Sequence, residues 1–423
     1  KSEKLAGSGT ESDPYRISDA NDLFKMQDII NSTRVKNKNF VLTNDIDLSG
    51  VSYAQLKANS VLPGTIVSVD KVSGDVLPLT ISFTLDGANH CIFGLNITNT
   101  GSAGAAVFGY INSTSVIKRV AFTDITINTT YENAVANGAI ALYNNGLIKD
   151  CYAGNIKINV GSEANSSVSS KKINALNLKE STGCVAVNTG EIDGLVADNV
   201  SINVAANKNN IGAIVGLNSE NISNVKAENI VIKTGECDAI GAVAGKNSGK
   251  IEKATADNIR ANVGSSSAFG GIAGINSGSV ISCVTSGKAS GSALTGGIVG
   301  KAVKTDKNKV TSNVKNCYTF LRAEAGSSTG AIIASGESKH SNNFWSSESC
   351  GRVMAYADGS CEGDIVRSLR YTVLKKGTQK VISKASLGGK FAGGSYIVDT
   401  TKPISFEGEA IGFNETNDSV IIS

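Results

Sequence analysis

The sequence predicts an all-β fold, a right-handed parallel β-helix with three short strands in each coil of about 29 residues. The first observation behind this is a recurring glycine phrase, found at 138–144 (GAIALYN), 183–188 (GCVAVN), 212–218 (GAIVGLN), 241–247 (GAVAGKN), 270–276 (GGIAGIN), 296–300 (GGIVG) and 330–334 (GAIIA). The leading glycines lie 45, 29, 29, 29, 26 and 34 residues apart. A period of that size marks a chain that stacks one small unit on itself. The second observation is the length of the apolar bursts. The unit around Gly212 carries AIVG, NISNVKA and NIVIKT, each four to seven residues with β-branched residues near period two. That is the strand signature, and no unit offers ten residues at helical periodicity.

Columns of equivalent residues supply the third observation. Val120, Cys151, Leu195, Val225, Ala254, Cys283 and Cys317 share one position and predict a buried apolar stack at about 4.8 Å spacing. Asn112, Asn144, Asn188, Asn218, Asn247 and Asn276 share another, at the turn before the middle strand. Asn tolerates a left-handed corner, and a stacked amide can bond to the coils above and below, so a structural ladder is expected. Asn155, Asn199, Asn229 and Asn258 form a similar column at the next corner.

A solenoid needs its ends covered. Residues 18–31 supply a helical cap, with Ser18 or Asp19 as N-cap and an apolar stripe of Leu23, Met26, Ile29 and Ile30. Residues 1–350 therefore form the capped β-helix, about ten coils and roughly 50 Å long. Past Trp345 the register is lost, and 351–423 reads as a closing loop followed by a C-terminal β cap or small β module. Insertions fall at 52–75, 161–180 and 301–313. Functional loops on repeat scaffolds arise at such corners.

The net charge is +3 over 423 residues, so the basic footprint of a nucleic-acid binder is missing. No apolar run approaches the 18 residues of a membrane span, and no membrane insertion is expected. The chain starts at Lys1 without a leader, so any signal or anchor is expected outside it. As an isolated piece it is expected to be a monomer.

Chemistry is sparse. His90 and His340 lie about eight coils apart, roughly 40 Å, and cannot share a metal or a triad. Eight cysteines include no CxxC pair, so no metal site is expected. Cys283 and Cys317 are expected to be free thiols in the buried column, whereas Cys350 and Cys361 flank an irregular loop that a disulfide would brace. Asp198, Glu228 and Asp257 repeat at one position, with neighbours about 4.8 Å and alternates about 9.6 Å apart. Those spacings overlap the carboxyl separations of glycosidases, and a carboxylate row could hold calcium. The phrases VADNVSI, KAENIVI and TADNIRA offer no aromatic residue to stack on a sugar. The row is therefore expected to be a solvated one, with no cofactor and no catalysis.

The phrases GSGTESDPYRISDANDLFKMQDIIN, NFVLTNDIDLSG and FTLDGANHCIFGLNI, followed by GGIAGINSG and GGIVG, resemble in this order the GLUG-motif repeat region of bacterial surface proteins. That region includes the non-catalytic N-terminal part of IgA-cleaving metalloproteases. The resemblance spans 7–369 and implies secretion, a bacterial cell-surface setting and a β-helical stalk or adhesive surface. No HExxH zinc motif is present, so no catalytic residue carries over. The expected function is that of a non-enzymatic adhesin or stalk whose loops, around Lys171, Lys172, Lys304, Lys307 and Lys309, bind host or matrix protein or glycan. A polysaccharide hydrolase or lyase using Asp198, Glu228 and Asp257 is the alternative, and a spacer within a larger secreted protease is a third.

Overall fold

A computed structural model describes residues 4–32, 34–51, 82–99, 104–131, 136–163, 181–205, 210–265, 268–291, 294–324, 328–341 and 343–346. It also describes strands Val67–Val69, Val76–Pro78, Cys361–Gly363, Arg367–Leu369, Lys390–Ala392, Ser395–Ile397, Ala410–Asn414 and Ser419–Ile422.

The chain is a parallel β-solenoid with very little helix. One ladder shows the stacking. Tyr15 pairs with Phe40, then Leu85, Ile117, Ile148, Ile192, Ile222, Ile251, Val280, Val314, His340 and Gly363 follow in turn, every step parallel. The glycine phrases build a second sheet, where Gly138 aligns with Gly183, and Gly212 with Gly241, Gly270, Gly296 and Gly330. Between the two sheets lies one continuous core of Ile, Val, Leu and Ala side chains, including the predicted Val120 to Cys317 column, all of it fully buried. Burying each Ile or Val contributes about 1.5–3 kcal/mol.

The burst NISNVKA proves to be bent. Asn224 sits at φ 54°, and Arg119, Asp150, Lys253, Ser282 and Asn316 take the same left-handed conformation at the equivalent place in their coils. A second left-handed column, Asp124, Asn155, Asn199, Asn229 and Asn258, turns the chain into its last face. Short polar side chains dominate this second column because they tolerate the left-handed region at least cost.

The column containing Asn144 plays a different part from the one its residue type suggested. Asn144, Asn188, Asn218, Asn247 and Asn276 are absent from the left-handed set and fully buried. Each of the first four donates its Nδ2 hydrogen to the Oδ1 of the next at 2.8 Å. Asn276 passes the chain to Ser312 Oγ at 2.9 Å, which meets Ser338 Oγ at 2.9 Å. Asn112 stands outside this ladder: Ile111 aligns with Asn144, and the Asn112 Oδ1 accepts from the Ser113 backbone N–H at 2.8 Å.

The repeated glycines serve close approach. A Cβ on Gly241 would lie 2.1 Å from the Ala244 carbonyl oxygen and 2.6 Å from that of Ile272, and on Gly270 it would lie 1.9 Å from the Ala273 oxygen. Four residues on, a Cβ on Gly245 would lie 2.5 Å from the Ile211 nitrogen in the coil below. The GxxxG phrase is thus a corner folded too tightly for any side chain at either position.

The first rung is covered by helix Ala20–Asn31. Asp19 is its N-cap, accepting from the Asp22 backbone N–H at 2.9 Å, while the Asp22 carboxylate accepts in return from Ser18. Leu23, Met26 and Ile30 point into the core. No basic residue occupies the last helical turn, and Lys38 supplies the missing charge from outside it. Its Nζ donates to the carbonyls of Ile29, Ile30 and Ser32 at 3.0, 2.9 and 2.5 Å.

Beyond residue 346 the pairing pattern changes. Cys361–Gly363 and Arg367–Leu369 still add parallel rungs, whereas Lys390–Ala392 with Ser395–Ile397 and Ala410–Asn414 with Ser419–Ile422 form antiparallel hairpins. The disulfide expected between Cys350 and Cys361 involves side chains outside the described residues, and Lys171 and Lys172 lie outside them too.

Replacing Gly241 by Ala should lower the urea midpoint by the equivalent of about 1–3 kcal/mol or more, from overpacking against backbone that cannot move aside. Gly50, around which the same added carbon meets nothing within 4 Å, provides the neutral control. Equal midpoints for the two variants would contradict the steric account.

Candidate functional site

Strands Glu191–Val204, Asn221–Thr234 and Lys250–Asn262 stack without slippage, so Asp198, Glu228 and Asp257 occupy adjacent rungs as their spacing requires. The preceding residues, Ala197, Ala227 and Ala256, are buried in the core, and alternation turns the three acids outward. Each then meets a different partner. Asp198 accepts from Asn229 Nδ2 at 2.9 Å and from the Tyr152 hydroxyl at 3.3 Å. Glu228 is largely buried, with Lys226 Nζ 3.6 Å from an Oε2 that has no hydrogen bond. Asp257 is exposed and accepts from the Ser286 hydroxyl. Two of the three carboxylates thus fasten one coil to another, and the third is held by a lysine on its own strand.

Tyr152 is the aromatic neighbour that the local phrases did not reveal. It pairs with Val196 one rung below Asp198 and lies against Gly154, where a Cβ would come within 2.5 Å of its ring. The signal was a glycine at the position held by an acid in the next three coils. A ring from the same strand can lie flat only over such a gap.

The other reactive groups are occupied by the scaffold. His90 Nδ1 lies 3.3 Å from Asp45 Oδ1, and the same oxygen accepts from the Cys91 backbone N–H at 2.9 Å. Cys91 Sγ turns instead to the Thr123 hydroxyl at 2.9 Å. Cys91, Cys151, Cys184, Cys237, Cys283 and Cys317 are all buried thiols outside any disulfide. Burial pushes the Cys151 and Cys184 thiols up to about 12, and it raises Cys283 as well, with Cys317 beside it adding to the shift. Among the described residues no three His, Cys, Asp or Glu side chains gather at metal-binding distance.

Two exposed features share the edge where the glycine sheet passes into the strands of the first ladder, such as Val116–Lys118 and Asn313–Lys315. Residues 303–312 form a projecting loop in which the Asp306 side chain and carbonyl accept from the Asn308 and Lys309 backbones at 2.9 and 3.3 Å. Lys307 and Lys309 are exposed at its tip, and Lys304 forms an ion pair with Glu337. Further back along that edge lies a groove of about 460 Å³, lined by residues 114–116, 145–147, 189–191 and 220–221 on successive coils. Thr189 ties its wall together, donating to the Tyr143 hydroxyl at 3.0 Å and lying 3.1 Å from Asn145 Oδ1. Tyr143 in turn stacks on Tyr110 with ring centres 4.7 Å apart and planes at 6°. The loop is legible in the sequence as an insertion, whereas the groove is not, because its residues come from four coils and none is unusual within its own.

Fold and site together define a parallel β-solenoid with an inert core and polar corners. No family model matches the chain, and no curated protein matches it. Among solved structures it is similar to a candidate immunoglobulin A1 protease from Bacteroides ovatus, at 16% identity over 93% of this chain and 94% of that one, with a TM-score of 0.38. A likeness at that level carries no argument about activity.

With a pKa of about 12, on the order of one Cys151 or Cys184 in ten thousand is thiolate at pH 8. Native protein treated with a thiol reagent at pH 8 should leave these two cysteines unmodified over hours, and both should react at once in guanidinium. Labelling of either in the folded state, located by peptide mass, would contradict their burial.

Proposed function

We propose that the chain is a non-catalytic β-helical segment of a secreted bacterial cell-surface protein, acting as an adhesin or stalk that presents its corners to host or matrix protein or glycan. The observation that carries this reading is the division of labour among polar groups. The candidate acids Asp198, Glu228 and Asp257 are engaged by Tyr152, Asn229, Lys226 and Ser286 within the scaffold. The lysine loop and the groove, by contrast, lie open on one edge. The resemblance to GLUG-motif surface proteins supports the same setting. No cofactor is required.

The test is to replace residues 304–310 by Gly-Ser-Gly and to screen both proteins on arrays of host proteins and glycans. Regular coils on either side predict an unchanged circular dichroism spectrum and melting curve, with loss or weakening of at least one array signal. A parent protein that binds nothing on either array would favour the spacer reading.

One observation favours the enzymatic alternative, the buried Glu228 oxygen without a hydrogen bond. Incubation with plant, bacterial and host polysaccharides decides it: the binding account expects no new reducing ends, and turnover abolished by Glu228→Ala would replace it.

A further inference from the structure

We infer that the groove at residues 114–116, 145–147, 189–191 and 220–221 binds a neutral, extended oligosaccharide lying parallel to the stacking axis. This rests on the binding-scaffold reading above and adds to the loops a second site, the groove, with a ligand class of its own.

Four successive coils line the groove, and three steps of about 4.8 Å give it a length of about 14 Å. The rung spacing of about 4.8 Å is close to the advance of one ring in an extended β-linked glycan, so successive rings meet the corners of successive coils. The volume lies within the range of small-molecule sites.

The lining matches a sugar on both of its faces. Val116 and Leu147 are register partners and only half buried, giving an apolar ledge for ring C–H groups. Next in that column come Glu191 and Asn221, both exposed, with Glu220 exposed beside Asn221. None of these three side chains has an ion pair or hydrogen bond among the described residues, so all can take up hydroxyl groups. Their neighbours are already committed: Lys149 pairs with Asp193 and Lys250 with Glu252, at 3.8 and 2.8 Å. Two unpaired carboxylates disfavour an anionic chain by repulsion, and the apolar ledge gives no purchase to a run of ammonium groups. Preorganisation is provided by the Thr189 to Tyr143 bond and by the stacked tyrosines, which hold the wall before a ligand arrives.

Calorimetric titration of the whole chain with cellotetraose, chitotetraose and mannotetraose tests this, with a heparin tetrasaccharide and tetralysine as the charged comparisons. The expected result is saturable binding of at least one neutral tetrasaccharide. That binding should weaken at least tenfold in Leu147→Arg and severalfold in Glu191→Gln with Glu220→Gln, at unchanged melting temperature. Failure of all three neutral sugars to bind, equal binding by the Leu147→Arg variant, or preference for either charged probe would overturn the inference. Array binding to host protein by a chain that takes none of these sugars would leave the scaffold reading standing while this one falls.

Discussion

From Asn144 onward the solenoid depends on a single buried polar contact repeated from coil to coil. Each Asn of the inner ladder sits at full burial, where an unpaired amide would cost about 1–3 kcal/mol for each orphaned group. The stack removes that cost only when every amide faces another. The Nδ2 group also reaches the carbonyl two residues on, as from Asn218 to Glu220 at 2.8 Å and from Asn276 to Gly278 at 2.9 Å. One amide therefore closes its own turn and fixes the next coil above it. A slip of one residue would bury an apolar side chain against an unpaired amide and expose an Ile column, so the ladder and the core demand the same register.

The glycines and the left-handed corners answer to that register. Gly212, Gly241, Gly270 and Gly296 let the chain fold back on itself within four residues, which brings the amide inward. Asn224, Asn229 and Asn258 then turn the chain around the opposite faces. Where the unit is lengthened, at 303–312, the extra residues bulge outward and Ser312 takes the amide's place in the ladder. Insertions are tolerated at corners because the ladder resumes on the far side of them.

Much of this was legible in the sequence. Glycine spacing gave the period, and the Val120 to Cys317 column gave the core, since in-register stacking turns sequence equivalence directly into contact. The helical cap was readable from Asp19 and the Leu23 to Ile30 stripe. What remained hidden depends on relations between coils or within tight turns. Asn residues look alike whether they occupy a left-handed corner, as Asn229 does, or a buried amide stack, as Asn218 does. The bend at Asn224 was masked because Arg119, Lys253 and Ser282 share its conformation without sharing its chemistry. The acid row was placed correctly, yet its partners came from other coils: Tyr152 from the one below Asp198, Asn229 and Ser286 from the ones above. The groove was hidden for the same reason, its four contributing turns lying far apart in sequence.

The inner amide ladder, and not polar stacking in general, holds coil to coil. Amide hydrogen exchange on Asn218→Ala and Asn229→Ala, compared with the parent, tests this most directly. Asn218 is buried in the ladder, whereas Asn229 bonds to Asp198 and Asn258 near the surface. Loss of protection across strands Glu191–Val204, Asn221–Thr234 and Lys250–Asn262 in Asn218→Ala, with little change in Asn229→Ala, is the predicted result. Equal loss in the two variants, or none in Asn218→Ala, would contradict it.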